Sequence, residues 1–235
     1  MHIGIEKLLF ATALCAVFAA APSACLSAQD AMPMKQMDTT QMMAMMGTWP
    51  AASKDAAMFM MKKYGAPAAM TAEMAIWGKT GPWKRTIVYG MEFPHEFPMH
   101  HTDVMQQWID YKAPAAMYDD LVMYDGSVVL ERTSGEMSAR CDKESANFLA
   151  LNLANEIVTG KRTVADSRRI YGAQIMEMKA MRPAPYTEKL MFIPMMNTND
   201  PDQSVSTAMT PAMPGMAGMA GMAGMPAKPK APTKP

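Results

Sequence analysis

The sequence predicts an α+β fold, in which a small antiparallel sheet packs against helices and disordered Met-rich extensions precede and follow the domain. Two strand-like runs joined by a Gly-Pro turn predict a hairpin, and a regular helical period appears between positions 142 and 160. Strands and helices do not alternate as they do in a doubly wound fold. With 22 basic and 22 acidic residues, the chain lacks the positive charge typical of a nucleic-acid-binding protein.

The first half of the domain predicts one helix and one hairpin. Residues 50–64 have apolar side chains at helical spacing and are followed by Gly65, which favours a helix that ends there. Residues 74–79 and 83–91 are the two strand-like runs, and the second alternates between larger apolar and polar residues. Thr80-Gly81-Pro82 supplies the turn between them.

The second half predicts mainly helices. Residues 103–111 and 114–124 are short helical candidates, and residues 127–133 read as a strand. A longer helix is expected from a cap at Asp142 to Gly160, because its apolar residues recur at i, i+3, i+4 and i+7. A last helix begins at Thr163, whose spacing to Asp166 resembles a capping box, and ends before Pro183.

The N-terminal 28 residues predict a signal peptide. A single Lys precedes an apolar run of 14 residues at 8–21, too short to span a bilayer, and Ala28 offers a cleavage site. We therefore expect an exported protein, periplasmic or secreted, with no transmembrane segment. Lipidation at Cys25 is disfavoured because Pro22 stands where a lipobox usually has Leu.

The rest of the chain divides into three parts by composition. Residues 29–48 read as a flexible Met-rich leader, 49–194 as the globular domain, and 195–235 as a disordered tail rich in Met, Gly, Ala and Pro. Every aromatic residue after position 28 lies within 49–194. We expect that neither extension packs on the domain, since neither can bury enough apolar area to offset its ordering entropy.

A histidine-rich stretch, MEFPHEFPMHHTDVM, is the strongest candidate for a metal site in the domain. Imidazole suits Zn, Cu and Fe, and thioether favours Cu(I). The two prolines of the stretch predict a loop that leaves the second strand. The spacing matches no strong zinc signature, so a loop without any ligand is an alternative. The candidate ligands are His95, His100, His101, Met91, Met99 and Asp103.

The same histidines also permit acid–base catalysis, with Glu96 or Asp103 orienting an imidazole. Once the signal peptide is removed, Cys141 is the only cysteine left, and it would be the nucleophile of a hydrolase-like enzyme. Nothing in the sequence brings Cys141 to the histidines. It can equally be a buried hydrophobic residue or pair with a second chain.

Methionine is concentrated where no core exists to explain it. Seven of the 31 Met lie between positions 29 and 46, and five lie in the 15 residues from 212 to 226. Thioethers at M-x-x-M spacing predict Cu(I) binding. An oxidant sink and low complexity without a role are the alternatives. The predicted ligands of the tail are Met213, Met216, Met219, Met222 and Met225.

Two resemblances accompany these patterns. The extensions resemble the Met-rich segments of bacterial periplasmic copper-resistance proteins, although this tail has no His among its Met. The domain, with WGKTGPWKRTIVY, PHEFPMHHTDVMQQWIDYK and GEMSARCDKESANFLALNLANEIVTGK, looks similar to an uncharacterised family of exported bacterial proteins, which implies no activity. The residues that carry the copper resemblance are Met42, Met43, Met45, Met46 and the five tail methionines just given.

The sequence therefore predicts an exported protein whose most specific activity is binding of a soft metal, Cu(I), by the extensions and by the His/Met loop. An enzyme centred on the loop from His95 to His101 and a non-catalytic periplasmic interaction domain are the competing hypotheses.

Overall fold

The structure is a computed structural model that describes residues 38–204 of the 235. The predicted signal peptide, residues 29–37 of the predicted leader and residues 205–235 of the predicted tail lie outside the described residues. Within the described part, no helix is long and apolar enough to cross a membrane.

Residues 38–204 form an α+β fold of five α-helices and one six-stranded antiparallel sheet, which confirms the predicted class. The helices are α1 (Thr39–Met45), α2 (Ala51–Tyr64), α3 (Tyr118–Tyr124), α4 (Glu144–Val158) and α5 (Val164–Lys179). The strands are β1 (Ala69–Met70), β2 (Met74–Trp77), β3 (Arg85–His95), β4 (His101–Asp110), β5 (Val129–Glu131) and β6 (Glu136–Cys141).

The sheet has the strand order β1-β2-β3-β4-β6-β5, and each neighbouring pair is antiparallel. The predicted hairpin is β2 and β3. Strand β3 then continues past the predicted end and turns back into β4, with a register irregularity between Val88 and Phe93. The stretch predicted as a loop is thus the far end of a second hairpin.

The helix predicted at 103–111 is wrong, because residues 103–110 belong to strand β4. Strand β4 pairs with β3 on one side and with β6 on the other, so its backbone groups are satisfied by two neighbours. Strand β6 was not predicted from the sequence. Without that partner, the short run at 103–111 gives no reason to prefer a strand to a helix.

The other predicted helices are present. Helix α2 ends at Gly65, whose φ of 86° suits a residue without a side chain. Helix α5 begins as predicted, since the Thr163 side chain accepts a hydrogen bond from the Asp166 backbone N–H at 3.1 Å. Helix α4 starts at Glu144 rather than directly after Asp142, and no side chain caps it.

Helices α2 and α4 cover the same face of the sheet. Gln107 of β4 shows this, because its side chain contacts Met60 of α2 and accepts a hydrogen bond from Asn147 of α4 at 3.0 Å. Gln107 also donates to Thr86 of β3 at 3.2 Å, and all of these side chains are buried. Hydrogen bonding of this kind is what permits polar groups at the centre of a core.

The flexible-leader prediction is wrong for residues 39–48. They form α1 and a 3₁₀ turn (Met46–Thr48), and Met42 and Met46 are buried in the core beneath α2. Met42 and Met46 lie four positions apart, so they share one face of a short helical segment that packs on the domain. Part of the Met enrichment of the leader is therefore core packing.

The boundary predicted at 194 is also too early. Thr198 is buried, and its backbone packs so closely on Gly135 that a Cβ at Gly135 would lie 2.2 Å from the Thr198 carbonyl carbon. Asp200 and Asp202 form ion pairs with Arg132. Residues 195–204 therefore continue the fold rather than leaving it.

The buried carboxylate of Glu144 joins three parts of the chain. Its side chain is only 3% exposed and accepts hydrogen bonds from the Trp83 indole N–H and the Tyr64 hydroxyl, each at 2.7 Å. Lys63 adds an ion pair to the same carboxylate. Because Trp83 precedes β3, while Lys63 and Tyr64 end α2, Glu144 ties the start of α4 to both.

We expect Met46→Ala to lower the free energy of unfolding by about 2–5 kcal/mol, since it leaves a cavity in a packed core. The matched control is Met45→Ala, because Met45 is exposed and its loss should cost less than about 0.5 kcal/mol. Urea denaturation measures both. Equal stabilities of the two variants would show that α1 does not pack on the domain.

We expect Glu144→Ala to lower the free energy of unfolding by about 3 kcal/mol, because the Trp83 and Tyr64 donors lose a charged acceptor. Glu188→Ala, at an exposed carboxylate, serves as the control and should change stability by less than about 0.5 kcal/mol. Denaturant unfolding followed by Trp fluorescence measures both. A loss in Glu144→Ala no larger than in the control would contradict the joining role.

Candidate metal centre

The hairpin of β3 and β4 brings together His95, His101 and Asp103. His95 pairs directly with His101 across the hairpin, and His101 and Asp103 are two positions apart on β4. Directly opposed residues and residues at i, i+2 share one face of an antiparallel pair. The pairing register therefore places three metal-capable side chains side by side, and their candidate ligand atoms all lie within 4.8 Å of one another.

Asp103 is at the centre of this cluster and is almost fully buried. Its Oδ1 lies 3.2 Å from His101 Nε2, and its Oδ2 lies 3.3 Å from His95 Nδ1. Arg140 Nε approaches the same Oδ2 to 3.8 Å. The carboxylate thus faces two imidazoles and, more distantly, one guanidinium.

The hydrogen bond of His101 determines which of its nitrogens is free. Its Nδ1 lies 2.9 Å from the Met99 carbonyl oxygen, which can only accept, so Nδ1 carries a hydrogen. In the neutral ring, Nε2 is then an acceptor aimed at a carboxylate oxygen, and Nε2 is buried without a hydrogen-bond partner. Two acceptors at 3.2 Å repel each other unless a proton or a metal ion lies between them.

His95 lies between two buried carboxylates. Its Nδ1 faces Asp103, and its Nε2 lies 3.7 Å from Asp125 Oδ1. Asp125 Oδ1 also accepts hydrogen bonds from the Ser127 backbone and hydroxyl, whereas Asp125 Oδ2 is buried without a partner. Histidine ligands commonly use one nitrogen for the metal and give the other to a carboxylate or carbonyl. His101 has that arrangement, and the nearest such partner of His95 Nε2 is Asp125, at a distance longer than a hydrogen bond.

The cluster shifts the pKa values of its members in opposite directions. Contact with Asp103 raises the pKa of His101, although burial opposes the shift. Burial alone would raise the pKa of Asp103, but the two histidines lower it below its usual value. Burial raises the pKa of Asp125, against the hydrogen bonds from Ser127. Without a metal, a proton shared with His101 neutralises the central carboxylate.

The donor set matches a divalent transition metal better than Cu(I). Two imidazoles and one carboxylate suit Zn, Cu(II), Fe and Ni, and they leave coordination positions open for water or another ligand. Ligands at about 2.1 Å from a tetrahedral ion lie roughly 3.4 Å apart. The Asp103 oxygens lie at nearly this separation from the two imidazoles, 3.2 Å from His101 Nε2 and 3.3 Å from His95 Nδ1. The histidine side chains are 17–18% exposed, which leaves a route from solvent.

The remaining predicted ligands do not belong to the cluster. The His100 side chain is 76% exposed and pairs with Glu96 at 2.8 Å. The Met99 sulfur lies 2.8 Å from Lys179 Nζ, and only the Met99 carbonyl reaches His101. Met91 lies in the irregular part of β3 and is 57% exposed. Met213, Met216, Met219, Met222 and Met225 lie outside the described residues, so Cu(I) binding by the tail stays a prediction.

Sequence reasoning missed two participants, Asp125 and Arg140. Asp125 follows α3, about thirty positions after His95, and looks in the sequence like an ordinary turn residue before Gly126. Arg140 belongs to the unpredicted strand β6. Only the pairing of β6 with β4 brings Arg140 near Asp103.

Cys141 lies near the histidines but is poorly suited to nucleophilic catalysis. It lines a cavity of about 140 Å³ together with Met99, His101 and Tyr171. Burial, helped by the negative charges of Asp142 and Asp103, raises the pKa of the Cys141 thiol well above its usual value. Because thiolate is the reactive form, this environment argues against a Cys–His hydrolase.

The chain matches no protein-family model, no curated protein and no solved structure.

We expect alkylation of Cys141 by iodoacetamide at pH 7.5 to be more than about tenfold slower in the native protein than in guanidinium chloride, because burial raises the pKa of the thiol and shields it from the reagent. A Cys15→Ala/Cys25→Ala variant of the full chain isolates the Cys141 signal. Mass spectrometry measures the rates. A native rate equal to or above the denatured rate would restore the nucleophile hypothesis.

Proposed function

We propose that the protein is an exported metal-binding protein whose folded domain binds a divalent transition-metal ion with His95, His101 and Asp103. One observation carries the proposal. His101 Nε2 is buried, has no hydrogen-bond partner and faces the Asp103 carboxylate at 3.2 Å, with its tautomer set by Met99. A metal ion between these two atoms would bind both of them, in place of the proton that they otherwise share.

The nearby groups support this assignment. Asp125 is placed to receive a hydrogen from His95 Nε2 when His95 Nδ1 binds the metal, as the Met99 carbonyl does for His101. The Arg140 guanidinium lies over the Phe93 ring, 4.2 Å from its centroid. Its Nε is 3.8 Å from Asp103 Oδ2, so its positive charge faces the carboxylate without binding the metal. Three protein ligands leave one coordination position for water or an exchangeable ligand, as in catalytic zinc sites. Structural zinc sites instead have four protein ligands.

Among divalent first-row ions, Cu²⁺ is expected to bind an imidazole and carboxylate site most tightly. We therefore propose copper in its divalent form as the preferred ion of this site. No thioether belongs to the cluster, so the site differs from the Cu(I) site that the sequence predicts for the His/Met loop. Export is supported by the apolar run at 8–21 and by Ala28.

Titration with Zn²⁺ and Co²⁺ tests the site in the full chain. We expect His101→Asn to weaken metal binding by at least about tenfold, because removing only a hydrogen-bond partner of a ligand already lowers metal affinity by that factor. His100→Asn is the matched control, since His100 is the adjacent residue but lies outside the cluster, and its affinity should equal that of the unmodified chain. Calorimetry against a chelator gives the affinities, and the Co²⁺ visible spectrum reports the ligands.

A stability measurement distinguishes loss of the metal site from misfolding of a variant. Zn²⁺ at about 100 times its dissociation constant should raise the free energy of unfolding by about 2.7 kcal/mol in the unmodified chain and in His100→Asn, and EDTA should reverse the gain. In His101→Asn the metal-free protein should unfold cooperatively without this gain. Equal metal stabilisation of the two variants would overturn the proposal.

A further inference from the structure

A second group of metal-capable side chains lies far from the histidines in sequence, between helices α1 and α2. Met42 and Met43 of α1 and Met58 and Met61 of α2 line one open cavity of about 380 Å³. Met58 and Met61 are three positions apart and so project from one side of α2. The fold therefore brings four thioethers from two helices to a single surface cavity.

Core packing explains Met42 and part of Met61, which packs against the same core cluster, but it does not explain Met43 or Met58. Met42 is buried and, with Met46, attaches α1 to the domain. Met43 is 49% exposed and Met58 is 50% exposed, so neither fills the interior, and Met61 is half-buried. An exposed pair of flexible, polarisable side chains beside a cavity is a feature of binding surfaces.

The chemistry of the cavity selects a soft cation. Among residues 38–204, no carboxylate, imidazole or thiol lines it, and Lys62 is the only charged residue of its lining. A neutral thioether binds Cu(I) well and hard divalent ions poorly. Lys62 is exposed, so its ammonium can remain in water at the end of a flexible stem while the thioethers face inward.

We propose that Met43, Met58 and Met61, with Met42 at the base, form a binding site for a soft monovalent cation, Cu(I). This site does not depend on the divalent site proposed above. Because Met42 holds α1 against the core, ligand binding would also fix the outer side of α1 on α2. Thioethers require no deprotonation, so binding should persist at acidic pH, where histidine sites lose their metal.

The test is a titration of the full chain with Cu(I), kept reduced by ascorbate and competed with a chelator, and with Ag(I) as a redox-inert probe. Methyl-labelled methionine allows each thioether to be followed by NMR. We expect the methyl signals of Met43, Met58 and Met61 to shift with bound Ag(I). The signals of Met123 and Met176, which are exposed elsewhere, should not shift at the same occupancy.

The decisive comparison is between two triple variants of equal composition. Met43→Leu/Met58→Leu/Met61→Leu removes three of the four cavity thioethers, leaves the core residue Met42 in place and nearly preserves side-chain volume. Met123→Leu/Met176→Leu/Met191→Leu changes three exposed methionines that do not line the cavity. We expect the first variant to lose one Cu(I) equivalent, or to bind it at least about tenfold more weakly, while the second binds like the unmodified chain.

Three outcomes would overturn the proposal. The first is identical Cu(I) stoichiometry and affinity in the two variants. The second is an absence of Met43, Met58 and Met61 methyl shifts when Ag(I) is bound. The third is a shift of these methyls by an amphipathic peptide but not by Ag(I), which would make the cavity a peptide-binding surface. Zn²⁺ binding in the first variant reports separately on His101, so the two proposals fail independently.

Discussion

The structure depends on a buried carboxylate that three donors satisfy. Glu144 stands in the first turn of α4, where the unpaired backbone N–H groups also favour a negative charge. Trp83 reaches it from the start of the β3 hairpin, and Tyr64 and Lys63 reach it from the end of α2. A carboxylate out of contact with water is costly unless all its partners are present. The Glu144 carboxylate is therefore fully paired only when α2, the β3 hairpin and α4 are all in place.

This constraint fixes the elements that form the histidine cluster. Helix α4 packs on β6 and β4, and Asn147 bonds the β4 backbone at Met105. With β4 held on both edges, the β3 hairpin places His95 opposite His101. Asp103 can be buried because His95, His101 and Arg140 surround it. Packing of the core thus determines the spacing of the proposed ligands, while the Met99 carbonyl orients His101 locally.

Sequence patterns predicted what depends on neighbours along the chain and missed what depends on distant partners. The helix that became α4 and the Thr163 cap follow from spacing and local hydrogen bonds, and both are present. Strand β4 was mistaken for a helix because its two partner strands define it. Within the site, His95, His101 and Asp103 were visible as a crowded motif. Asp125 and Arg140 were not, since only the tertiary fold brings them to it.

In the Met-rich leader, composition predicts no structure where the protein forms a packed helix. Its composition looked too simple to fold, yet four-residue spacing of Met42 and Met46 is enough to bury one face of a short helix against α2. That burial leaves Met43 on the outside beside Met58. A thioether can be placed at such a surface at little electrostatic cost because it is neutral, whereas Asp103 needs charged partners before it can be buried. Hard and soft donors therefore occupy different environments in one domain, and the physical cost of burying each donor accounts for the separation.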